Sequence, residues 1–125
     1  MNVKTMMLAS TVVAGVFGLA LAIVPGTVLA TYGVTADAGA LCMGQAYGAA
    51  LVGIAVLSWF AKDAPESEAR TAIVRGLFGF NVVALIVTIP VQLNHVMNAV
   101  GWSAVAIYLL FTLGWAYFLW AKPAA

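Results

Sequence analysis

Long apolar stretches broken by short polar ones organise this chain, with apolar runs over about 3–24, 38–60, 69–89 and 99–120. Each is long enough for the roughly 20 residues that a membrane-spanning helix requires. The pattern predicts an all-α fold, a four-helix transmembrane bundle forming a single integral membrane domain over 1–125. The first run begins after a single lysine, as a secretory signal would, but its apolar core exceeds the roughly 7 to 15 residues of such a signal, so it is expected to stay as an anchor. Pro25-Gly26 is expected to end the first helix, because proline cannot continue the hydrogen-bond ladder and glycine suits a turn. The connection then runs to Asp37, with Tyr32 at the outer interface. Asp63, Pro65 and Glu66 read as a capping arrangement that starts the third helix, and Glu66 and Arg70 are spaced to pair on its first turns. Pro90 can either end or kink that helix. Trp102 near one end of the fourth run, and Trp115, Tyr117 and Trp120 near the other, match the aromatic belts of the two interfaces. The first and third runs both close on an aliphatic residue and proline, Val24-Pro25 and Ile89-Pro90. The second and fourth close on an aromatic residue, alanine and lysine, Phe60-Ala61-Lys62 and Trp120-Ala121-Lys122. Such an echo fits either a repeated hairpin or the common way in which membrane hairpins end.

Charge adds an orientation. The five basic residues are Lys4 before the first run, Lys62, Arg70 and Arg75 around the second connection, and Lys122 after the fourth. An even number of spans puts those three segments on one side, which the positive-inside rule makes the cytoplasm, so both termini are expected there. Hydrophobic residues make up 65% of the sequence and charged ones 7%, far below the roughly 25% charged of a soluble domain. With four such spans in 125 residues, no extramembrane domain is expected. A net charge of +1 without a basic cluster speaks against nucleic acid as a partner and leaves the lipid bilayer as the expected one. Cys42, the single cysteine, cannot close an intrachain disulfide.

Depth selects the candidate chemistry. Asn81 falls near the middle of the third span, about 15 Å from either boundary at 1.5 Å per residue. A carboxamide at that depth should turn into the bundle, either to bond a neighbouring helix, the favoured reading, or to meet a ligand. If the helix continues through Pro90, Asn81, Thr88, Gln92 and His95 form one polar stripe reaching the outer surface, where His95 is wet. One histidine, one cysteine and no intramembrane carboxylate pair give no plausible metal or haem set within one chain, so no metal or cofactor is expected. Nor does a nucleophile with a base, a phosphate-binding glycine loop or an acid pair occur, so no catalytic residue is assigned and the chain is not expected to be an enzyme. In the second span Ala36, Ala40, Gly44 and Gly48 recur every four residues, and Ala49 and Gly53 extend the small-residue spacing. Such a seam lets two helix backbones approach, inside the bundle or between subunits.

Phe17-Gly18, Pro25-Gly26, Gly48-Ala49-Ala50, Ala69-Arg70 and Gly101-Trp102, set in four short spans, resemble small bacterial inner-membrane proteins, and the layout is similar to that of the DoxX-like group. The resemblance implies a bacterial inner membrane and an accessory or small-ligand role, with no catalytic set to carry over. Two functions follow. The first expectation is a non-enzymatic scaffold or accessory subunit of a larger membrane complex, or a homo-oligomer, packed through Ala40, Gly44, Gly48 and Gly53. The alternative is a binder or carrier of a quinone, isoprenoid or lipid, oriented by Asn81, Gln92 or His95.

Overall fold

The computed structural model describes residues 2–121, so Lys122 lies outside the described residues. It is all-helical among those residues: α1 (Val3–Ile23), a short α2 (Pro25–Thr31), α3 (Ala38–Ala61), α4 (Glu68–Leu93) and α5 (Gly101–Ala116), which widens without a break into a π-helical turn, Tyr117–Ala121. Four helices, α1, α3, α4 and the continuous Gly101–Ala121 segment, are long and apolar enough to cross a membrane.

Three of these helices open on a side chain that accepts a backbone N–H left over in the first turn. The Asn2 side chain accepts from the Thr5 N–H at 2.8 Å, Asp37 from Ala40 at 2.8 Å and Ser67 from Arg70 at 3.2 Å. The last corrects the expected cap around Asp63 and Glu66: the loop runs further and Ser67, in extended backbone, starts α4. In place of the expected pair with Glu66, the Arg70 guanidinium donates to the Ala64 carbonyl at 3.4 Å. The first helix ends just before Pro25, as expected, but a short helix follows in place of a turn. Val24 leaves the helical conformation (φ −130°, ψ 59°), and Pro25 becomes the first residue of α2, where its missing N–H costs nothing. Pro90 lies inside α4, which continues for three more residues to Leu93.

The long helices form two antiparallel hairpins. Contacts between α1 and α3 run in opposite order along the chain, Ser10 with Ser58, Gly18 with Gly48 and Ala22 with Gln45. Towards the Lys4 end, Met6, Met7, Ala61, Val74, Leu77 and Trp115 from all four long helices make one buried cluster. A second, of Ala14, Leu21, Leu51 and Ala55 with Phe17 and Phe80 against it, lies further along α1 and α3.

At the Lys4 end an exposed ionic tie joins the start of α1 to the α3–α4 loop. Lys4 Nζ lies 3.0 Å from Asp63, Lys62 also donates to that carboxylate, and the Lys62 ammonium sits 4.2 Å from the centre of the Trp59 ring. Hydrogen bonds from Lys62 and then Lys4 hold the Asp63 carboxyl below its ordinary value. A carboxyl depressed in the folded state contributes stability above its unfolded pKa of about 3.9 and loses it as pH falls through the lower folded value. Acidification from pH 5 to pH 2 is therefore expected to lower the melting temperature in detergent by a small extra amount in the wild type. Asp63→Asn should lack that increment, and equal acid losses in both proteins would refute the tie.

Candidate functional site

A cavity of about 250 Å³ lies between the hairpins, bounded by residues of α1, α2, α3, α4 and α5. It exists because the two hairpins meet through different side chains than those that close each of them. Within the α1–α3 pair small residues bring the backbones together: a Cβ placed on Gly18 would stand 2.9 Å from the Gly48 carbonyl oxygen, and one on Gly48 would stand 2.7 Å from the Gly18 oxygen. Across the hairpins Phe17, Phe80, Phe111 and Tyr108 face one another around the cavity, and large rings hold helices apart and leave space that they do not fill.

Polar groups punctuate this apolar wall. The Tyr47 and Tyr108 hydroxyls, from α3 and α5, hydrogen-bond to each other, and the Tyr108 ring packs edge-on against Phe80, centroids 6.3 Å apart. Asn81, 7% exposed, donates from Nδ2 to the Leu77 carbonyl of its own helix at 2.8 Å. Among the described residues its carboxamide oxygen receives no hydrogen bond. Thr88, two turns further along, is likewise in the wall and donates to the Ala84 carbonyl at 2.6 Å. Tyr32, just after α2, brings a third phenol.

The candidates picked from sequence separate in space. Asn81 and Thr88 line the cavity; Gln92 and His95 do not. Gln92 is buried and holds the α4–α5 loop, its Nε2 donating to the Asn98 carbonyl at 2.9 Å while its Oε1 packs against Gly101 with no partner among the described residues. His95 does not extend the stripe. The helix ends at Leu93, and His95 turns the chain in the left-handed region at φ 57°, with its side chain exposed. The stripe therefore stops at Gln92. Among the small residues of α3, Gly48 is buried against α1, Gly44 borders the cavity and touches Leu21 and Pro25, and Ala40 is half-buried. Gly53 points into open space with nothing within 4 Å of an added Cβ.

Asn98 clasps the α2–α3 and α4–α5 loops together. Its Nδ2 donates to the Thr31 carbonyl at 3.1 Å, its Oδ1 accepts from the Val100 N–H at 3.0 Å, and its backbone N–H donates to the Tyr32 carbonyl at 2.9 Å. Asn98→Ala removes the first two bonds, a local loss of about 1–2 kcal/mol. Hydrogen exchange over residues 94–100 should accelerate several-fold while the amides of α1 and α3 stay protected; unchanged exchange would show that the clasp is not what orders this loop.

Sequence reasoning missed the tyrosine pair, whose members are 61 positions apart and carry no common motif. It also missed the partner of the α3 seam, although a signal was there: Ser10, Ala14, Gly18 and Ala22 repeat small residues every four positions along α1. Comparison with protein-family models, with curated proteins and with solved structures returns no match.

Proposed function

We propose that this protein is a non-enzymatic inner-membrane protein of a bacterium that binds or carries a lipophilic small molecule in the cavity between its two hairpins. Its Lys4, Lys62, Arg70 and Arg75 side faces the cytoplasm. The observation that carries the reading is Asn81, a buried side chain in a largely apolar cavity wall, whose carboxamide oxygen no protein group satisfies among the described residues. An acceptor that opens on an apolar space without a protein partner is a group that a ligand can meet, and apolar pockets with a few converging polar groups are what small-molecule sites are made of. The position of the basic residues supports the orientation through the positive-inside rule. The scaffold reading loses its main support. The Gly48 part of the seam expected to recruit a subunit is occupied by Gly18 of the same chain.

Native mass spectrometry of protein extracted in a mild detergent tests this. The wild type should carry a bound small molecule that Asn81→Leu has lost, both proteins being equally helical. Identical spectra, with bulk phospholipid as the sole adduct in each, would sink the reading.

A further inference from the structure

The polar groups of the cavity also restrict the chemical class of the occupant, an inference that rests on the binding role just proposed. Those groups are Ser10, Tyr32, Tyr47, Asn81, Thr88 and Tyr108; among the described residues no Lys, Arg, His, Asp or Glu borders the space. A charged head would lose its hydration there without a counter-charge, which costs several kcal/mol, so carboxylates, phosphates and amines are disfavoured. Hydrogen-bonding capacity narrows the choice further. Ser10 and Thr88 are closed on protein neighbours, Ser10 with Ser58 at 2.9 Å and Thr88 with Ala84 at 2.6 Å. A short hydroxyl side chain can also turn a spare proton back to a carbonyl of its own helix.

Two needs are left. Asn81 offers an acceptor oxygen that lacks a donor. The Tyr47–Tyr108 pair shares one hydrogen bond between two hydroxyls, so whichever ring donates, the other keeps a proton that lacks an acceptor. A phenol cannot reach back to its own helix to satisfy it. Besides the Tyr32 hydroxyl, the cavity therefore presents an open acceptor at Asn81 and an open donor at the tyrosine pair, in an uncharged and largely apolar wall.

We infer that the ligand is an uncharged lipophile whose polar end is a hydroxyl, the smallest neutral group that both donates and accepts. A ketone, quinone or ether only accepts and would leave the Asn81 oxygen without a donor. At about 250 Å³ the space lies just under the roughly 300–1,000 Å³ of ordinary small-molecule sites, so it suits the head and first part of a chain rather than a whole membrane lipid.

Binding to the full-length protein in lipid nanodiscs, followed by isothermal titration calorimetry, distinguishes the cases. The probes are farnesol and 4-octylphenol, an alcohol and a phenol, each beside its methyl ether, with farnesoic acid as the charged control. At least one hydroxyl probe should bind roughly tenfold to a hundredfold more tightly than its own ether, since the ether cannot donate to the Asn81 oxygen and forfeits that hydrogen bond. Whichever pair shows this preference tells alcohol from phenol. Asn81→Leu should reduce the preference to a few-fold, and Tyr108→Phe should weaken the hydroxyl probe without restoring the ether. Hydroxyl and ether binding alike, or the acid binding best, would overturn the hydroxyl assignment while leaving a lipophile-binding cavity in place. No saturable heat from any probe would overturn the binding role and this inference together.

Discussion

Gly48→Leu should separate α1 from α3 and destabilise the protein more than any loop or surface substitution. The reason is the partner: a Cβ at Gly48 would lie 2.7 Å from both the Ala22 nitrogen and the Gly18 carbonyl oxygen. Those are backbone atoms, and unlike the end of a flexible side chain they cannot rotate away. Accommodation requires the helices to part along the whole seam. That movement would also disturb the buried Ser10–Ser58 bond and the Gln45 Nε2 bond to the Ala22 carbonyl at 3.2 Å. Overpacking a core costs about 1–3 kcal/mol and occasionally more, and a backbone-to-backbone clash belongs at the upper end. Lipid does not push the helices back together, because the apolar tails solvate separated helices as well as they do packed ones. Gly53→Leu is the matched control. It sits on the same helix with open space around it, so its cost should stay within about 0.5 kcal/mol. Unfolding by graded addition of a denaturing detergent, followed by circular dichroism, measures both. Equal midpoints for Gly48→Leu and wild type would mean that the seam does not hold the hairpin.

The second large effect is expected from Trp115→Ala. Trp115 is fully buried, and its indole is enclosed in the cluster that unites the four long helices through Met6, Met7, Ala61, Val74 and Leu77. Its Nε1 finds no acceptor among the described residues, so truncation breaks no hydrogen bond. What disappears is packing. In a water-soluble core such a change costs about 3–5 kcal/mol, part of it the transfer of the ring from water. In a membrane the unfolded helices keep their side chains in hydrocarbon, so the transfer part falls away and the void remains. At about 24 cal/mol per Å³, an unfilled space on the order of 100 Å³ costs roughly 2–3 kcal/mol. Trp115→Phe should recover more than half of that loss in the same unfolding assay. If alanine and phenylalanine variants were both as stable as wild type, the cluster would not be what joins the hairpins.

These two positions differ in how visible they are in the sequence. Gly48 belongs to a four-residue spacing of small side chains, and such spacing marks a close helix contact whatever the partner. The partner itself was not legible, since a seam within the chain and one between chains use the same residues. Trp115 reads from sequence as an interfacial aromatic, one of a belt with Tyr117 and Trp120. In the structure Trp115 is buried while Tyr117 and Trp120 are exposed, because position along a span sets depth but not which way a side chain faces. Helix ends show the same division. Asp37, read from sequence only as the end of a connection, caps α3, whereas in the α3–α4 loop the expected cap Asp63 binds two lysines and Ser67 caps. A loop rich in polar residues offers several candidate caps, and tertiary contacts choose among them.

Four long apolar helices, their approximate ends and the depth of Asn81 within one of them were all readable from the order of residues alone. Those outcomes follow from hydropathy and length, which act locally and need no partner. Only the folded arrangement brings Gly18 against Gly48, sets Asn81 and the Tyr47–Tyr108 pair around one cavity, and leaves Gln92 and His95 apart from it. Rotation of each helix about its axis and the choice of neighbour depend on how side chains far apart in the chain fit together. In lipid, where an apolar face is equally content against tails or protein, that fit is set by close packing and by the few polar atoms that must find a partner.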